Sequence, residues 1–175
     1  MDIEMVESAL EIQEIIVSTP FHRLQNENVM MVERLSTADL MRGGAPTLAE
    51  GLRSVAGMDI ISTGTGIGKP VIRGLSSNRV LTYAQGVRLE NLQYGDEHGL
   101  GINEAGIESV EVIKGPASLL YGSDALGGVL YLNPEKFAAS GETHADAATH
   151  YFSNSQGSST NAGIQASGEK FRFLA

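Results

Sequence analysis

The sequence has no cysteine, and its 12 lysines and arginines stand against 21 aspartates and glutamates, a formal net charge of -9. The first absence removes thiol nucleophiles, disulfides and cysteine-based zinc centres, and it is compatible with any compartment. The shortage of basic residues removes the patch that a phosphate backbone requires, so no nucleic-acid partner is expected. Long apolar runs are missing too. No window reaches the roughly 18 apolar residues of a membrane helix, so any contact with a bilayer must be made by β-strands. Residues 1–7 carry Asp2, Glu4 and Glu7 and no basic residue, the opposite of a secretory leader, which is therefore expected to be absent or already removed.

Catalytic signatures are as sparse. There is no Gly-x-Ser-x-Gly elbow and no His-Glu-x-x-His, and His22, His98, His144 and His150 share no helix-spaced pair. The glycine-rich residues 62–69, STGTGIGK, invite a phosphate-loop reading that fails on spacing. A phosphate loop needs four residues between its first glycine and Gly-Lys, whereas Gly64 and Gly68 enclose three, and Pro70 follows Lys69. No helix N-terminus is offered to a phosphate there. The segment reads instead as a flexible loop between strands at 58–61 and 70–72.

What is present is concentrated in residues 107–133, IESVEVIKGPASLLYGSDALGGVLYLN. Val110 and Val112 alternate with Ser109 and Glu111, the period of a strand with one buried face. Gly115 ends that strand, Pro116 suits the first position of a helical turn over 117–121, and Gly122 suits its left-handed end. Gly127 and Gly128 let the backbone approach closely before 129–132 resumes a β-rich run. Upstream, Thr47 with Glu50 forms a capping box for a helix carrying Leu48, Leu52 and Val55, stopped by Gly57. Ser36 with Asp39 opens a shorter helix that ends at Gly43 and Gly44, and a strand is expected at 29–32.

The run VEVIKGPASLLYGSDALGGVLYL, with LAEGLRSVAGMDI, the VIRG ending at Gly74 and residues 79–86 upstream, resembles the plug domain of TonB-dependent outer-membrane receptors. Residues 82–86, TYAQG, depart from the apolar strand and Asp-Gly usual in that family, and 130–134 from its more β-branched ending. The resemblance implies an α+β fold, a small mixed β-sheet with short helices, followed by the first β-hairpin of a transmembrane β-barrel whose remainder lies outside this chain. Residues 1–10 resemble the last strand of a small β domain that precedes many such plugs. Residues 11–19 fall where the family keeps its TonB box, 20–35 form a linker, 36–140 the plug and 141–175 the barrel hairpin. In the hairpin, two alternating runs of about ten residues flank a polar turn at 154–159, the length a tilted membrane strand requires.

The resemblance also assigns roles. Glu14, Ile15, Ile16, Val17, Ser18 and Thr19 look like the TonB box, though on composition alone they read as an ordinary β-branched strand stopped by Pro20. An extended segment with free backbone donors and acceptors can add as a strand to the sheet edge of the TonB energy-coupling protein. Arg73, Arg79, Arg88 and Lys114 would lock the plug to carboxylates on the barrel wall, against a plain reading as solvated cations. Gly64, Thr65, Gly66 and Tyr94 would lie on loops facing the cargo. Asp96, Glu97 and His98, ordinary loop residues by composition, carry metal-ligand chemistry in the same direction.

These expectations describe a gate of the outer membrane, its TonB box towards the periplasm, with no cofactor of its own and no catalysis. The cargo is a transported small molecule, metal chelate (siderophore or haem) or metal ion. Two rival readings remain at this point. One is a stand-alone soluble ligand-binding domain, and the other a hydrolase built on Asp96, Glu97 and His98, which lacks a neighbouring nucleophile or oxyanion motif.

Overall fold

The computed structural model describes residues 32–175 except 65, 91–94, 96, 97 and 103. Strand β1 (Val32–Ser36) runs into helix α1 (Thr37–Arg42), because the Ser36 hydroxyl accepts the Asp39 amide hydrogen and caps the first turn. Helix α2 (Leu48–Gly51) is capped in the same way by Thr47 on the Glu50 amide, the box legible in the sequence. The helix expected to reach Gly57 is shorter. After one α-turn it tightens into a 3-10 turn at Leu52–Ser54, and Val55 is already extended and buried. Gly51 fixes the crossing of α1 and α2: a β-carbon there would stand 2.9 Å from the Leu40 carbonyl oxygen.

The chain then forms an antiparallel hairpin, β2 (Met58–Gly64) and β3 (Ile67–Ile72). Most of the segment expected to be a loop at 62–69 is therefore paired strand. Ser62 faces Gly68, Gly64 faces Ile67, and Gly66 takes φ +85° between them. Extended Ser and Thr tolerate this pairing, and glycine is needed only where the chain reverses.

Four further strands complete the main sheet with β1: β4 (Val80–Ala84), β5 (Val87–Leu89), β6 (Ile107–Ile113) and β7 (Gly128–Pro134). The order is β1-β6-β7-β4-β5, antiparallel except between β4 and β7, so the expected mixed sheet is present. Of the strand anticipated at 29–32, residues 29–31 lie outside the described residues and Val32 opens β1, so the proposed linker of 20–35 ends inside the sheet. Pairing decides this: Val32 lies opposite Ile113 and Leu35 opposite Val110, so both join buried rows. Gln85 and Gly86, at φ +52° and +80°, connect β4 to β5 with the left-handed pair a tight hairpin demands. They do the work of the Asp-Gly that the family usually has.

The two faces of the sheet are unequal. One carries the main core, in which Val110, Val112, Leu130 and Leu132 pack against Leu48, Leu52 and Ile72 of α2, its 3-10 turn and the β2–β3 hairpin. The other carries Val32, Leu81, Ile113, Ala125 and Val129, with Tyr83 and Tyr121 against them. Between β6 and β7 the expected helical turn is a 3-10 helix, Pro116–Tyr121, pinned by the Ser118 hydroxyl donating towards the Gly115 and Ala125 carbonyls.

After the plug sheet, β8 (Thr143–Phe152) and β9 (Gly157–Ser167) form the long hairpin anticipated from their alternation. The second run does not continue to the end. It breaks at Gly168, Glu169 and Lys170, and β10 (Arg172–Leu174) turns back onto β9 as a third strand. The polar break offers a reversal, and the Gly168 amide bonds the Phe171 carbonyl across it.

Candidate functional site

Two glycine-rich segments distant in sequence lie side by side. The Leu100 amide donates to the Gly68 carbonyl at 2.8 Å, laying residues 98–100 along β3. Gly99 makes this approach feasible, since a β-carbon there would stand 2.8 Å from the Gly68 nitrogen. Gly68 is equally constrained from its other side, where its own β-carbon would stand 2.8 Å from that of Ala49. The result is a cavity of about 620 Å³ bordered by Pro46, Ala49, Gly66, Gly68, Leu100 and Ile102.

Of the residues expected to face cargo, Gly64 and Gly66 stand at the tip of the β2–β3 hairpin. Thr65, Tyr94, Asp96 and Glu97 lie outside the described residues, as do Glu14, Ile15, Ile16, Val17, Ser18 and Thr19. His98 is exposed, and its amide donates to the Gly95 carbonyl at 3.0 Å. Among the described residues no group of three or more His, Asp or Glu side chains is arranged to hold a metal ion.

The four cations expected to reach a barrel wall divide into two pairs by the partners they have within the chain. Lys114 Nζ is 2.6 Å from Glu33 Oε2 and donates to the Ala56 carbonyl at 2.7 Å, so its charge is engaged within the chain. Arg88 is likewise engaged. Its Nη2 donates to Asp124 Oδ2 at 3.2 Å, and its Nε lies 2.9 Å from Glu90 Oε1 without the alignment of a hydrogen bond. These carboxylates were available in the sequence, but only the fold brings Glu33 and Asp124 near.

Arg73 and Arg79 differ. They are exposed, and neither makes an ion pair among the described residues. Arg73 is held at φ +52°, a left-handed conformation that costs a non-glycine residue about 1–3 kcal/mol. Its amide donates to the Gly57 carbonyl at 2.9 Å, which anchors the turn and projects the guanidinium outward.

Two buried charges were not anticipated. Lys69, considered in the sequence only to reject a phosphate loop, is fully buried and donates to the Gly95 carbonyl at 2.9 Å and towards Ser77 Oγ at 3.3 Å. Glu111 is also fully buried, on the smaller-core side of β6, with Arg34 Nε at 3.9 Å. Arg34 donates to Ser109 Oγ, which also receives the Asn133 side-chain amide, so a polar network runs across β1, β6 and β7. The available signal was a charged residue inside a β-rich run, which period alone assigns to solvent.

Residues 25–129 match the family described as the TonB-dependent Receptor Plug Domain. The vitamin B12 transporter BtuB of Photobacterium profundum is 40% identical over 87 residues, covering 49% of this chain and 14% of that protein. The hemin receptor of Yersinia pestis is 34% identical over 117 residues, covering 66% of this chain and 17% of that protein. The crystal structure of the siderophore receptor PirA from Acinetobacter baumannii superposes with a TM-score of 0.60 at 22% identity, over 85% of this chain and 23% of that one. At that identity the likeness concerns the fold alone. The chain thus spans less than a quarter of the length of each of these proteins. Because the matched family covers well over half of the sequence and the mixed sheet is the one its residues predict, the chain belongs to the TonB-dependent receptor plug-domain family.

Proposed function

We propose that this chain gates an outer-membrane uptake receptor energised by TonB, admitting a scarce nutrient such as a metal chelate, haem or a metal ion. The observation that carries the reading is the match of residues 25–129 to the plug family. Its sheet supports that reading, with both edges occupied by short strands and the core closed on itself by α2 and the β2–β3 hairpin. Such a unit can fill a pore as a body.

In this account Glu14 to Thr19 face the periplasm and add as a strand to the coupling protein, where main-chain bonds give affinity and alternate side chains give specificity. Arg73 and Arg79 pair with carboxylates of the barrel wall, bidentate partners that a guanidinium fits. In the same account Gly64, Thr65, Gly66, Tyr94, Asp96, Glu97 and His98 meet cargo from outside. The two relatives named for vitamin B12 and hemin favour a cargo of cofactor size. The three-stranded sheet β8–β10 forms the start of the barrel. Its exposed Tyr151 and Phe173, with exposed Phe171 just before β10, suit a lipid or interfacial boundary.

The test is a pull-down by the C-terminal domain of the coupling protein. Ile16→Pro removes one backbone donor from the added strand and should abolish capture while leaving the plug folded. Capture that survives the substitution unchanged would remove the assignment of residues 14–19.

A further inference from the structure

We propose that Lys69 is the positioning residue that fastens the loop after β5 to the β2–β3 hairpin, so that the two segments respond to cargo as one surface. The inference rests on the reading of both segments as cargo-facing, and its physical content comes from one buried ammonium. Lys69 sits in β3 opposite Ile61 with no exposed surface. A buried charge is expensive unless polar atoms replace its lost water. Among the described residues those atoms belong to two other parts of the chain: the Gly95 carbonyl and Ser77 Oγ at the start of the 3-10 turn Ser77–Arg79. Ser77 is itself held left-handed at φ +56°.

Three features converge on the same junction. The Gly95 carbonyl receives both the ammonium and the His98 amide, so the charge fixes the backbone just before Gly99 and Leu100 settle on β3. Gly99 has no room for a side chain against Gly68. Leu100 is buried, and its amide is bonded to Gly68, the residue immediately before Lys69. One peptide of β3 therefore holds the loop through its carbonyl while the next residue holds it through its side chain. A displacement of the loop must break a charge-assisted bond and a backbone bond together, and it pulls on β3 as it does so.

Hydrogen exchange on the protein without cargo tests this. Lys69→Met keeps the length and apolar stem of the side chain and removes the charge. The Leu100 amide should then exchange about tenfold faster or more, as expected for losing a hydrogen bond to a charged group. Amides of the sheet centre, at Val112 and Leu130, should keep their protection. Unchanged exchange at Leu100 would overturn the proposal, and so would an equal loss at Val112 and Leu130, which would make Lys69 a general support of the fold. If the variant does not fold, acetylation of the unmodified protein decides. Lys69 should react about tenfold more slowly than exposed Lys136 and react only as protection of Leu100 is lost; equal rates, or modification of Lys69 with Leu100 still protected, overturn the latch. No cargo is present in either experiment, so a failed uptake assay would leave this result standing, and a failed latch would leave the gating role standing.

Discussion

Gly128 sits where β7 begins, at φ +152°, opposite Val80 in the one parallel pairing of the main sheet. A β-carbon there would stand 2.7 Å from the Ile113 carbonyl oxygen and 3.0 Å from Ile72 Cδ1. The oxygen belongs to the backbone at the end of β6, so it cannot move aside without disturbing the pairing of Ile113 with Val129. Gly128→Ala therefore incurs a backbone cost of about 1–3 kcal/mol and an overpacking cost of about 1–3 kcal/mol. A combined loss of roughly 2–6 kcal/mol is a large share of a domain's stability. Gly44→Ala is the matched control, since Gly44 has a positive φ of +76° but nothing within 4 Å of the added carbon. It should cost only about 1–2 kcal/mol. Urea denaturation of both variants, with the slope unchanged from the parent, gives the comparison directly. If Gly128→Ala costs no more than Gly44→Ala, the close approach of β6 and β7 is wrong.

Arg73→Ala should change the melting temperature of this chain little, because the guanidinium has no ion-pair partner among the described residues; a large fall measured by calorimetry would place a partner within the plug. Asp124→Asn breaks the ion pair with Arg88, whose partners are both partly exposed, and should cost under about 1 kcal/mol in chemical denaturation. A loss beyond about twice that would mean that Arg88 organises more than a surface contact.

The central β6–turn–β7 unit was legible because its punctuation is local: alternation, a proline at a first turn and glycines at the ends each have one physical reading. The cap at Thr47 was legible for the same reason. The length of that helix was not, because Val55 is drawn into the core and tertiary burial overrides helical spacing. The strands at 58–61 and 70–72 were legible, but 62–69 reads as a loop because of the glycines at 64, 66 and 68, of which two serve pairing and close packing. The engagement of Lys114 and Arg88 depended on carboxylates at 33 and 124, far away in sequence, and no local pattern shows such pairs. Lys69 was hidden by a rule that is usually right, that lysine in a strand points to water. Its partner carbonyl at Gly95 lies 26 residues away.

The gating claim is tested most directly by conductance of the full-length receptor in a planar bilayer, with and without the segment corresponding to residues 32–140. The intact receptor should be closed to small ions, and removal of the plug should leave a stable, open pore. Equal conductance of the two forms, whether both closed or both open, would contradict the account.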